Sequence, residues 1–319
     1  MEKIRWGIVG AGKIATKFAQ DILYTKHAEL HAVASRSIEN ASNFALRHRI
    51  SKSYGSYEDL YADKEIDAIY VATPHPFHFQ NVSDALNAGK AVLCEKPLTM
   101  NPDECEKLIS LSKITGSYLM EALWTYFLPA INKAVEWVSS GKIGKIKHIK
   151  SSFGYLLPYQ PDHRGYNPDL GGGSILDIGI YCIALTWLFY KRKPEKLTVI
   201  AQKTIENIDS DVLAILDYGE CSSTIHSSFN CKLPDSAFII GDEAYIEIPE
   251  FWRASECFLY KEKKLVEHYN AIRQSNGLNY EIEAASLDIL NRRNESEIMP
   301  LSTSLELQVI MESMIKKIK

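Results

Sequence analysis

The run Ile4 to Val9 leads directly into Gly10-Ala11-Gly12-Lys13-Ile14-Ala15, and no other feature restricts the fold of this chain as strongly. A short strand-like run ending in G-x-G-x-x-A and continuing as a helix, here Lys13 to Tyr24, is the opening of a βαβ unit. Gly10 allows the tight turn, Gly12 lets the backbone approach a pyrophosphate, and Ala15 lets the helix pack closely on the strand. The amides of Lys13, Ile14 and Ala15 at the helix start, aided by the helix dipole, stabilise phosphate charge. These five positions are read as the dinucleotide-phosphate site.

Beyond this unit the chain keeps the same grammar. Strands are expected at Leu30 to Ser35, Ala68 to Ala72, Ala91 to Cys94 and Tyr118 to Met120, with helices at Ile38 to Arg49, Tyr57 to Tyr61, Phe77 to Asn87 and from Asn101-Pro102 to Gly116. Strict alternation implies a doubly wound parallel sheet with helices on both faces. After about residue 122 the pattern changes. A helix from Pro129 to Ser139 and a strand from Ile146 to Gly154 precede a Pro- and Gly-rich loop and a helix starting near Gly173. Several strands then follow at short spacing between Lys196 and Ile248, with another pair between Glu256 and His268 and closing helices at Leu278 to Asn291 and Leu305 to Ile318. Strands without intervening helices predict an open, mostly antiparallel sheet. The expected fold class is therefore α/β: a Rossmann domain over residues 1–121 and an α+β substrate-binding and oligomerisation domain over 122–319. The open sheet face calls for a cover, and a second subunit would supply it.

Composition narrows the function. A net charge of -4 leaves no electrostatic footprint for nucleic acid. No secretory signal is legible at the N-terminus, and no apolar run is expected to reach the ~20 residues of a membrane span, because Asp177 interrupts Ile175 to Tyr190. A cytoplasmic protein is expected. Cys94, Cys105, Cys182, Cys221, Cys231 and Cys257 show no metal-ligand spacing, so they read as reduced, mostly buried thiols and no metal is expected.

Three places carry chemistry. The second strand ends in Ser35-Arg36-Ser37, where an acid would hold the ribose 2′-hydroxyl of NAD. Arg36 and its flanking serines suit a 2′-phosphate instead, which favours NADP over NAD. Glu95-Lys96-Pro97 follows a buried strand, so Lys96 is expected at the carboxyl edge of the sheet, where ligands bind. Asp177 and Tyr181 are four apart on the apolar helix after Gly171-Gly172-Gly173, hence on one helical face. A buried acid needs a partner, and Lys96 would serve if the domains close.

Taken together, Gly10-Ala11-Gly12, Thr73-Pro74-His75-Pro76-Phe77-His78, Glu95-Lys96-Pro97 and Gly172-Gly173-Ser174-Ile175-Leu176-Asp177-Ile178-Gly179-Ile180-Tyr181 resemble the glucose–fructose oxidoreductase / inositol dehydrogenase (Gfo/Idh/MocA) family over nearly the whole chain. With Tyr181, and with Leu119-Met120-Glu121-Ala122-Leu123-Trp124, the chain is most similar to the dimeric dihydrodiol dehydrogenase and NADP-dependent sugar dehydrogenase group of that family. The resemblance implies that Lys96 and Tyr181 act together on a substrate hydroxyl beside Asp177. It also implies that Trp124, Phe153 and Trp252 line the substrate pocket, that Thr73, His75, His78, Glu95 and Lys96 lie at the cofactor, and that the chain forms a homodimer or higher homo-oligomer through the C-terminal sheet. Asn40 and Tyr126 depart from the group, which carries basic residues there. The expected reaction is hydride transfer between a nicotinamide and a hydroxyl or carbonyl carbon of a sugar, polyol or trans-dihydrodiol. A non-catalytic NADP sensor and a hydride-assisted glycoside-cleaving enzyme are the alternatives that these residues leave open.

Overall fold

The computed structural model describes residues 2–318. It divides into two units, Met1–Trp124 with Arg273–Leu305, and Thr125–Ile272 with Glu306–Lys319.

In the first unit the strands are β1 (Ile4–Val9), β2 (Ala28–Ala34), β3 (Lys52–Tyr54), β4 (Ala68–Val71), β5 (Ala91–Glu95) and β6 (Leu119–Ala122). They form one parallel sheet in the order β3-β2-β1-β4-β5-β6, the doubly wound order of dinucleotide-binding folds. Helices α1 (Lys13–Asp21), α2 (Ile38–His48), α3 (Tyr57–Ala62), α4 (His78–Asn87) and α5 (Pro102–Thr115) connect them. Local chemistry sets several boundaries. The Asn101 side chain accepts the Glu104 amide at 2.9 Å to start α5, with Pro102 at its first position, and Gly116 ends it at φ 67. Central strands are apolar on both faces, and Ile8, Val9, Ile69, Val71, Val92 and Leu119 are fully buried. β3, three half-buried residues at the sheet edge, escapes a periodicity reading because it is too short to alternate.

The expected contiguous division at 121/122 differs from this arrangement, since Arg273–Leu305, including α8 (Asn279–Leu290), belongs with the first unit. The cause is a buried carboxylate. Asp21 accepts the amides of Asn276, Gly277 and Leu278 at 3.0, 2.8 and 2.7 Å, and Trp6 Nε1 donates to Ser286 Oγ at 3.0 Å. Such long-range polar bonds leave no periodic trace in sequence.

The second unit holds α6 (Pro129–Ser139), β7 (Ile146–Gly154), α7 (Ile180–Tyr190) and strands β8 (Lys196–Lys203), β9 (Asp209–Asp217), β10 (Ser222–Ser228), β11 (Ala237–Gly241), β12 (Tyr245–Ile248), β13 (Glu256–Lys261) and β14 (Lys264–Asn270). Their sheet runs β14-β13-β12-β11-β7-β10-β9-β8 and is antiparallel except for the β10–β7 pair. α6 and α7 pack on one face. On the other, Ile200 and Leu213 are register partners and, with Ile215, remain exposed. α9 (Leu301–Ile318) begins in the first unit and ends in the second.

The expectation for the apolar run needs correction. Pro168–Tyr190, 23 residues containing an 18-residue window of mean hydropathy 1.6, is long and apolar enough to cross a membrane, but 78% of that window is buried within the fold. It is a core segment of the second unit, and burial explains its composition as fully as lipid would.

Candidate active site

Gly10 sits at φ +97, and a Cβ there would meet the Ala72 carbonyl oxygen at 2.9 Å, so only glycine fits between the ends of β1 and β4. Gly12 caps α1 in an extended conformation with no side chain on the helix amides, and the space where its Cβ would stand is open. Ala15 is fully buried. The first turn of α1 thus offers uncapped N–H groups beside open space, which fits a pyrophosphate. Ser37 has a structural task as well: its Oγ accepts the Asn40 amide at 3.3 Å and caps α2. The Ser35 amide donates to the Tyr54 carbonyl at 3.1 Å, which fixes the strand end beside the exposed Arg36.

Lys96 is carried on a turn that buried side chains hold from three sides. Tyr70 donates its hydroxyl to the carboxylate of Glu95, the last residue of β5. His78 is fully buried at the start of α4, with Nδ1 2.8 Å from the Pro97 carbonyl and Nε2 2.8 Å from that of Thr73. Burial lowers its pKa, and the bonds to the Pro97 and Thr73 carbonyls oppose that shift. Beyond the cis Lys96–Pro97 peptide, Glu121 accepts the Leu98 amide at 2.9 Å. Thr73 Oγ1 takes a bond from Asn81 Nδ2 at 3.1 Å, and the buried His75 ring lies edge-on to His78 at 5.8 Å. Thr73, His78 and Lys96 are therefore joined through one framework, whereas Glu95 is engaged by Tyr70.

In the second unit, Ile175–Gly179 forms a π-helical turn before α7, so Asp177 and Tyr181 are not related by the plain α-helical spacing expected of them. The turn is anchored by Asp209, which accepts the Ile175 amide at 2.8 Å and the Ser174 hydroxyl at 3.0 Å. Gly173, at φ +130, leaves room for that carboxylate, since a Cβ would stand 2.5 Å from its Oδ1. Single π-turns occur often at functional sites. Asp177 is 5% exposed, and within its own unit it is paired by Arg164 at 3.2 Å and by the Tyr155 hydroxyl at 3.3 Å. Burial first, and Asp177 second, push the Tyr155 phenol pKa up. Neither Arg164 nor Tyr155 stands out in the sequence: the first lies in an irregular loop, while the second continues the β7 alternation from Phe153 and could have been found that way.

Phe153, Tyr181 and Trp252 form one aromatic cluster, with Phe153 stacked on Trp252 at 4.7 Å and Tyr181 tilted 5.8 Å from Phe153 and 6.1 Å from Trp252. Trp124, the other expected lining residue, ends the N-terminal segment of the first unit and is buried. Lys96 belongs to the first unit, Tyr181 and Asp177 to the second. The six cysteines are free, Cys231 is exposed, and among the described residues no three His, Cys, Asp or Glu are grouped to hold a metal.

Known proteins match both units. The oxidoreductase family with an NAD-binding Rossmann fold, GFO_IDH_MocA, matches residues 4–123, and the GFO/IDH/MocA C-terminal domain matches residues 131–247. The trans-1,2-dihydrobenzene-1,2-diol dehydrogenase of Mus musculus is 34% identical over 99% of this chain and 97% of that protein. Among solved structures, an aldose-aldose oxidoreductase from Caulobacter crescentus with bound glycerol superposes with a TM-score of 0.90 at 21% identity, covering 99% of this chain and 97% of that one. A 3-ketoreductase from Actinomadura kijaniata, solved with NADP and TDP-benzene, gives 0.86 at 22% identity over 99% and 98%. The structural likeness establishes the fold, and the family matches together with the dehydrogenase relative establish the class of protein. The chain belongs to the Gfo/Idh/MocA family of nicotinamide-dependent oxidoreductases.

Proposed function

We propose that this chain is an NADP-preferring dehydrogenase that oxidises a secondary or hemiacetal carbinol of a sugar, polyol or trans-dihydrodiol, and reduces the matching carbonyl. The observation that carries this reading is the aromatic cluster in which Tyr181 leans against the stacked Phe153 and Trp252. Such a wall packs well on the apolar face of a sugar ring or carbocyclic diol. The curated relative's name, a dihydrobenzenediol dehydrogenase, and the NADP bound in the ketoreductase structure support the same class.

Gly10, Gly12 and the α1 amides would hold the pyrophosphate, and Arg36 with Ser35 and Ser37 the 2′-phosphate. The bound nicotinamide supplies the hydride acceptor or donor. Tyr181 takes the substrate hydroxyl proton. A phenol of ordinary pKa about 10 is a poor base, and a lysine ammonium favours its phenolate. Lowering that pKa by two units needs about 2.7 kcal/mol, within reach of one partly buried cation, and Lys96 is assigned this role. Asp177, already oriented by Arg164 and Tyr155, would hold a substrate hydroxyl.

The exposed Ile200, Leu213 and Ile215 on the open sheet face support a homodimer joined there. Light scattering should give twice the chain mass, falling to one for Leu213→Glu; a monomeric wild type would refute that interface.

The functional test is reduction of NADP and NAD on mixing with a panel of aldoses, inositols and trans-dihydrodiols. Turnover with one of these classes, faster with NADP, is expected. Tight nucleotide binding with no turnover across the panel would overturn the dehydrogenase assignment in favour of a sensor.

A further inference from the structure

Glu121 lies in β6, in register with Cys94 of β5, and has no solvent exposure. Its Oε1 accepts the amide of Leu98, two residues beyond Lys96, at 2.9 Å. Its Oε2 is buried with no closed hydrogen bond, as is the Ser304 hydroxyl of α9, which nevertheless lies near enough to stabilise the carboxylate. Holding one amide requires only one neutral acceptor, which a glutamine would provide without the desolvation cost of an ionisable group. An acid half-satisfied at this depth, within electrostatic reach of Lys96, has more to do than hold an amide.

We propose that Glu121 is a positioning residue for Lys96: its carboxyl group tethers the turn that carries the ammonium and sets the charge behind it. The inference rests on the role given to Lys96 under Proposed function. The charged surroundings are few. From β5 and the turn after it, Glu95 opposes ionisation of Glu121 and Lys96 favours it. The thiols of Cys94 on β5 and Cys105 on α5 also face it, and burial keeps both neutral. Burial is the largest influence and raises the Glu121 pKa to about 7, so the group changes charge near neutrality. Ionised, it strengthens the Leu98 bond by charge assistance and gives the ammonium a fixed counter-charge; protonated, it loosens both.

The test uses the whole protein and two readouts. Isotope-edited infrared spectra should show a buried glutamic acid C=O band that titrates away near pH 7, is missing in Glu121→Gln, and titrates at higher pH in Lys96→Met. Turnover of the best substrate in the panel should be about equal for wild type and Glu121→Gln near pH 6, and about ten-fold lower for the variant near pH 8.5, with unchanged nucleotide affinity. A wild-type band that does not titrate, a midpoint unmoved by Lys96→Met, or a turnover ratio constant with pH would each overturn the proposal. Failure of the assigned base is distinct from these, because Tyr181→Phe would then retain turnover while the infrared titration persisted.

Discussion

Phe153 and Trp252 lie face to face, their ring centroids 4.7 Å apart and their planes 9° from parallel. The two residues come from a strand and a short helical turn almost a hundred positions apart, and the Arg253 guanidinium stands 4.9 Å from the centroid of the Trp252 ring. Stacked pairs of this kind contribute about 0.5–1.5 kcal/mol beyond buried area. If they form a substrate wall, Trp252→Ala should raise the substrate KM about ten-fold and leave nucleotide affinity unchanged, as measured by steady-state kinetics and fluorescence titration. An unchanged KM would remove Trp252 from the pocket.

In the proposed function, Arg36 sets the preference for NADP over NAD. A charge-assisted bond to a 2′-phosphate is worth about 1.5–3 kcal/mol. Arg36→Ala should therefore raise the KM for NADP at least ten-fold while that for NAD changes little. Equal effects on both nucleotides would show that Arg36 does not discriminate between them. Ser37→Ala should in addition cost about 1 kcal/mol of stability through loss of the α2 cap, seen as a lower Tm.

The legible parts of this protein were those written in local chemistry. The glycine turn at Gly10 and Gly12, the strands β1 and β7 and the Asn101–Pro102 helix start follow from backbone freedom, alternation and capping, each confined to a few neighbouring residues. Hidden from such a reading were contacts made across long stretches of chain. Asp21 binds amides more than 250 residues away and so ties Arg273–Leu305 to the first unit. Asp209 bonds the Ile175 amide, 34 residues earlier, at the start of a π-turn where a regular helix was the natural expectation. Arg164 and Tyr155, which satisfy Asp177, are brought to it by an irregular loop and by a strand end. Charge pairing decides where a buried acid is tolerable, and spacing alone does not reveal the partner.

Asp209 makes a pH-dependent contribution to stability of definite sign. Burial raises its pKa to about 6 in the folded chain, against about 3.9 unfolded. The folded state therefore binds the proton more tightly, so this group's contribution is most favourable below about pH 4, declines as pH rises through 6, and is constant above. The span is at most about 3 kcal/mol. The Tm of wild type minus that of Asp209→Asn should fall between pH 4 and 6 and then level. A difference that grows over that interval would mean that the carboxylate is stabilised by the helix amides more than it is penalised by burial.

The proposed chemistry turns on Tyr181 as the base for the substrate hydroxyl, made effective by the Lys96 cation. This role is tested by kcat and nucleotide affinity of Tyr181→Phe, assayed across pH beside wild type. General base catalysis is worth about 10²–10⁴-fold, so kcat should fall by that factor while nucleotide affinity stays within about two-fold. Wild-type oxidation should also rise with pH, and the variant should lose that rise. A phenylalanine variant that keeps the wild-type kcat and pH profile would show that the proton leaves by another route.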